Sequence, residues 1–95
     1  MKETDTPLVI RKGCWFYGGL TVCPVHIVRH HTLYGSHDPE DPLELAMDRE
    51  VECFYIRYRP PGPHENWHHG GVALSLREAV FMAQRKLGPV LQWEV

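Results

Sequence analysis

Hydrophobic and polar positions alternate with a period of two through the first third of the chain, and the period lengthens to that of a helix near the end. Leu8 to Tyr17 is rich in β-branched and aromatic residues, Gly18-Gly19 follows, and a second such run extends from Leu20 to about His31. Two strand-like runs around Gly-Gly predict a β-hairpin, because a type I′ turn needs positive φ at both central residues. A two-residue loop places Tyr17 opposite Leu20, Trp15 opposite Val22 and Ile10 opposite Ile27. One face of the hairpin then carries Leu8, Ile10, Cys14, Phe16, Cys23, Val25 and Ile27. The other carries Val9, Arg11, Trp15, Tyr17, Leu20, Val22, His26 and Val28. Both faces are apolar, so the sheet requires cover on both sides, from helices or from a partner.

Gly35 to Pro42 reads as a loop. Asp41 as N-cap, Pro42 at the first helical position and Glu44 three residues after the cap predict a short helix through Asp48, with Leu43 and Met47 inward. Glu50 to Arg59 is a third strand, with Phe54, Ile56 and Tyr58 on one face and Val51, Cys53 and Tyr55 on the other. Pro60 to Gly71 is a breaker-rich loop, and Gly71 to Leu74 a short strand. Ser75 caps the main helix, with Glu78 placed to reach back to it. Leu76, Ala79, Val80, Ala83 and Leu87 form its apolar stripe. Gly88-Pro89 stops it, and Val90 to Val95 closes the chain as a strand. The predicted fold is one α+β domain spanning residues 1–95. It has an antiparallel sheet of about four or five strands, opened by the N-terminal β-hairpin, and one main C-terminal helix packed on one face. The order is β-β-(short α)-β-β-α-β.

Composition narrows the class. The chain has 95 residues, 43 % of them hydrophobic and 23 % charged, which suits a small globular domain and excludes a disordered one. No apolar run reaches the length of a membrane span, and the N-terminal residues lack the apolar core of a signal peptide, so the expected location is the cytoplasm. A bacterial source is expected from size. The formal charge of −2 offers no electrostatic basis for binding nucleic acid. Seven histidines make that charge sensitive to pH between neutrality and mild acid. The cysteines are Cys14, Cys23 and Cys53, an odd number that does not fit a disulfide framework. The two-residue hairpin loop would make Cys14 and Cys23 a non-hydrogen-bonded pair within reach of a disulfide, although a reducing cytosol favours free thiols.

His64-Glu65-Asn66-Trp67-His68 matches H-E-x-x-H, in which two histidines one helical turn apart bind zinc and the glutamate serves as general base. Gly71 fits the extended motif, but Leu74 stands where its third histidine belongs. Pro63 before the motif and Gly70-Gly71 after it leave at most about two turns of helix, and the preferred reading is a polar loop with Trp67 folded back as a lid. The chain is therefore read as non-catalytic, with no cofactor. Zinc held by His64, His68 and His69 is the secondary expectation, and His30, His31, His37 and Asp38 form another group. Phe81 lies well off the apolar stripe of the main helix, flanked by Arg77 and Arg85, and marks an interface with another chain.

Two segments carry a resemblance: Trp15 to Gly19 (WFYGG) and Ser75 to Val90 (SLREAVFMAQRKLGPV). With the hairpin, helix and final strand, they make the chain resemble the small proteins of bacterial mobile gene cassettes (integron cassettes). Such proteins are typically of unknown function, often dimeric and sometimes binders of small molecules, and the resemblance assigns no catalytic or binding residue. The function expected is a homodimeric binding or interaction module for a protein or a small ligand, with neither nucleic acid nor membrane as partner. Trp15, Tyr17, Tyr55 and Trp67 would form its aromatic surface, and Arg11 and His26 its polar contacts. The alternatives are a metal-dependent hydrolase using His64, Glu65 and His68, and an accessory subunit of a larger complex.

Overall fold

The computed structural model describes residues 8–62, 66–88 and 90–94. Strands β1 (Leu8–Tyr17) and β2 (Thr21–Leu33) form the hairpin. The one-turn helix α1 (Leu43–Ala46) leads to β3 (Arg49–Tyr58) and β4 (His68–Ala73), and helix α2 (Leu76–Leu87) connects β4 to β5 (Gln92–Trp93). The strands make one antiparallel sheet in the order β4-β3-β2-β1-β5, so α2 carries the chain from one edge to the other. The α+β class and the element order are those the sequence predicts. Among the described residues, no helix is long and apolar enough to cross a membrane.

The hairpin departs from expectation by one residue. Its loop is Gly18-Gly19-Leu20, and Tyr17 pairs with Thr21, Trp15 with Cys23 and Cys14 with Pro24. Gly18 and Gly19 both take positive φ, of 61° and 78°, as the turn argument requires. A one-residue slip exchanges the faces of a strand. Trp15 and Tyr17 therefore lie on the same face as Cys23, Val25 and Ile27, while Cys14 and Phe16 move to the opposite one. Burying an indole removes more apolar area from water than burying a thiol, which favours this register. A bulge between Val9 and Arg11 then lets Ile10 pack against the core. Cys14 and Cys23 are thus not cross-strand partners, and all three cysteines are free.

The core lies between this face and α2. Ile27, Ile56 and Val25 are fully buried, with Trp15, Phe54, Ala73, Ala79 and Ala83 around them. Small residues on the helix let it approach the sheet closely. At Gly71, in β4 beneath the helix, an added Cβ would stand 3.0 Å from Met82 Cε. Ser75 caps α2 by accepting the Glu78 N–H at 3.1 Å, and Gly88, at φ 112°, ends it by donating to Gln84 O. Leu76, Val80 and Leu87 complete the predicted stripe, and Leu91 and Trp93 pack beside it.

Three elements differ from the pattern. Helix α1 is a single turn whose N-cap is Pro42, with no side-chain cap, and Leu43 and Met47 are 74 % and 57 % exposed rather than inward. Asp41 accepts instead from Ser36 Oγ, so its carboxylate serves the preceding loop. Strand β4 begins at His68, three residues ahead of the predicted start, because a bulge at Gly70 lets His68 and His69 join the ladder with β3. Strand β5 is only two residues long; its described pairs with β1 are Gly13–Trp93 and Cys14–Gln92.

Candidate functional site

The face of the sheet away from α2 carries alternate side chains of the three strands β2, β3 and β4, several of them polar or aromatic. Pairing of β2 with β3 sets His26 beside Arg57, Val28 beside Tyr55 and His30 beside Cys53. Pairing of β3 with β4 adds Val72 beside Tyr55 and His69 beside Arg57. Period-two alternation thus collects two histidines from β2, a tyrosine and an arginine from β3 and a histidine from β4 on one surface. Trp67, just ahead of β4, folds over this surface with its ring 4.4 Å from that of His26. Between Trp67 and Tyr55 lies a cleft of about 270 Å³, lined by Val28, His30, Tyr34, Tyr55, Arg57, Trp67 and His69 among others. Val28 is only 3 % exposed and lies beneath the surrounding rings.

Tyr55 organises one end. Its hydroxyl donates to Thr32 O at 3.1 Å and accepts the Tyr34 N–H at 3.0 Å, tying β3 to the end of β2. His30 stands edge-on to Tyr34 and Tyr55, with ring centroids 5.5 and 5.7 Å away, and His69 approaches Tyr55 to 5.7 Å. Burial pushes the Tyr55 phenol above its usual range, partly offset by the hydrogen bond from Tyr34, so it acts as a neutral hydroxyl. His30 Nδ1 accepts the Thr32 N–H at 3.2 Å, which puts the proton of the neutral imidazole on Nε2. Beneath this cluster, the Cys53 thiol faces the Thr32 and His30 carbonyls, and burial raises it further from thiolate formation.

Trp67 organises the other end. Arg57 Cζ stands 5.1 Å and Arg59 Cζ 4.9 Å from the centre of its ring, within range of cation–π attraction. Burial lowers the His26 pKa below its ordinary value, and the positive charges of Arg57, Lys12 and Arg59 lower it further, against a smaller opposing pull from Glu94. This end of the face is therefore cationic, although the chain as a whole is slightly acidic.

The predicted site residues divide between the two faces. His26, Tyr55 and Trp67 come together on the helix-free face. Trp15 and Tyr17 do not join them: they stack edge-to-face at 6.1 Å on the helix side, where Trp15 also meets Tyr58 at 5.8 Å. Arg11 is exposed, and its guanidinium donates to the Ile10 carbonyl. His64 and Glu65 lie outside the described residues. His68 opens a strand instead of occupying a helix; it packs by Tyr58 while His69 packs by Tyr55, as consecutive strand residues diverge. Among the described residues, no three metal-ligating side chains are grouped. His37 bonds to Asp48 at 2.9 Å, not to His30. Phe81 is 56 % exposed on the outer side of α2, with Arg85 stacked over it at 5.8 Å and Arg77 exposed nearby.

Tyr34, Arg57, Arg59 and Val28 were not legible as site residues from the sequence alone, and His30 was legible only as a possible metal ligand. The signal is the alternation His26-x-Val28-x-His30 read together with Tyr55-x-Arg57-x-Arg59. It becomes a site only when the β2–β3 register is known. Comparison with known proteins gave no match to any family model, curated protein or solved structure.

Proposed function

We propose that the protein is a binding module whose helix-free sheet face takes a small planar ligand in the cleft between Tyr55 and Trp67. The observation that carries this reading is the cleft itself, an aromatic-walled depression with an apolar floor and a few hydrogen-bonding groups at its rim. Such a combination is the general character of small-molecule sites. Tyr55 is fixed by two backbone partners, so one wall is preorganised and binding costs little ordering there. Trp67→Ala and Tyr55→Ala each remove a wall. Each is expected to weaken the binding of a planar aromatic compound by about tenfold or more, followed by tryptophan fluorescence or calorimetry. Unchanged affinity in both variants would count against the reading.

A second reading concerns assembly. Phe81, with its ring exposed and bracketed by Arg77 and Arg85, supports pairing of two chains through the outer face of α2. The two readings are compatible, because α2 and the cleft lie on opposite faces of the sheet.

A further inference from the structure

Arg57 lines the cleft and Arg59 stands just past the end of β3, both drawn to the same indole. Two guanidinium groups converging on one ring repel each other, and water is partly excluded where they meet. The Nε atoms of Arg57 and Arg59 and the Nδ1 of His26 are buried, with no hydrogen-bond partner among the described residues. Buried polar atoms are nearly always paired in folded proteins, and of these three the two arginine Nε–H groups are donors that call for a partner bringing acceptors. The described ion pairs are Arg29–Glu52 and His37–Asp48, and neither involves this cluster. Lys12, opposite His26 in the sheet, adds a third positive charge, and Glu94 opposes them from the β5 side.

Building on the proposed ligand cleft, we infer that its ligand is a small planar aromatic carboxylate, with the carboxylate on Arg57 and the ring on Val28 between Tyr55 and Trp67. A guanidinium presents a planar fork of donors that matches a carboxylate. Among the described residues Arg57 is the only arginine lining the cleft, with His30, His68 and His69 in an otherwise aromatic and apolar surround. That balance suits one negative charge on an apolar body better than a dianionic phosphate. The cleft lies just below the range of about 300–1000 Å³ typical of drug-sized sites, which limits the body to one or two fused rings.

The test is calorimetric titration of the full chain with naphthalene carboxylate, its uncharged carboxamide and naphthyl phosphate. The carboxylate is expected to saturate one site and to bind at least about tenfold more tightly than the carboxamide, the usual scale of a charge-assisted pair. Arg57→Gln is expected to erase that preference, and Arg57→Lys to restore part of it. The wild-type comparison of carboxylate with carboxamide needs no variant, so it stands even if Arg57→Gln does not fold. Equal binding of carboxylate and carboxamide overturns the anionic assignment and leaves the cleft as a ligand site. Tighter binding of the phosphate overturns the carboxylate in favour of a dianion. Failure of all three to bind overturns both the assignment and the cleft.

Discussion

Trp67 is the residue on which the chemistry of the helix-free face converges, with His26 against its ring and Arg57 and Arg59 about 5 Å from its centre. Its importance was partly visible in sequence, since a tryptophan in a loop of prolines and glycines has few reasons to be there except to fold back. Which residues it would fold onto was not visible, because that depends on strand pairing. His26 gives this neighbourhood a measurable property. The charged groups facing it are Arg57 on β3, Arg59 just past the end of β3, Lys12 on β1 and Glu94 beyond β5, and the net effect with burial is a lowered pKa. A histidine whose folded pKa is depressed binds its proton more readily in the unfolded chain. Stability is then unaffected well above the unfolded pKa of about 6.5 and is lost as pH falls through that value toward the folded one. Urea midpoints are expected to fall between about pH 7.5 and about pH 5, and His26→Gln is expected to shallow that fall. A slope that His26→Gln leaves unchanged would place the titration elsewhere among the histidines.

Elements were legible in proportion to how local their signals are. Helix α2 carries its cap, stripe and stop within its own residues, and all three are observed. The hairpin was legible as a hairpin, but its register was not. Gly18-Gly19 permits a two-residue loop, and only the gain from burying Trp15 opposite Cys23 selects three. Helix α1 fails for the complementary reason. Its capping residues are present, yet the loop before it takes them up: the Asp41 carboxylate accepts from Ser36, and the Leu45 and Ala46 carbonyls accept the Ser36 and His37 N–H groups. The cap of α2 should be separable from the rest of the fold. Ser75→Ala is expected to cost about 1 kcal/mol, a fall in melting temperature of about 4–8 °C for a chain of this size. Ser75→Asp is expected to keep most of the stability. Equal loss in both would mean that the hydroxyl contact with Glu78 is not what matters.

At the scale of the molecule, α2 closes one sheet face, and among the described residues the other carries the side chains of its own strands with Trp67 folded over them. The sequence called for cover on both faces, from helices or from a partner, and among the described residues α2 covers one of them. What it could not supply was the division of labour between them, with packing under the helix and a cationic, aromatic cleft opposite. The outer side of α2 adds a third surface. If Phe81 marks where two chains meet, light scattering at micromolar concentration is expected to give twice the 11.0 kDa chain mass. Phe81→Glu is then expected to return the monomer without lowering its melting temperature by more than a few degrees. A wild-type monomer at that concentration would remove the interface and leave the cleft untouched.

Whether the helix-free face is a ligand site is tested most directly by mapping amide and indole shifts in a ¹H–¹⁵N spectrum while naphthalene carboxylate is added. The account predicts saturating shifts at Val28, His30, Tyr55 and Arg57 and at the Trp67 indole N–H, with α2 and the Gly18–Thr21 turn unmoved. Shifts confined to α2 or to the hairpin tip, or none that saturate by about 1 mM, would contradict it.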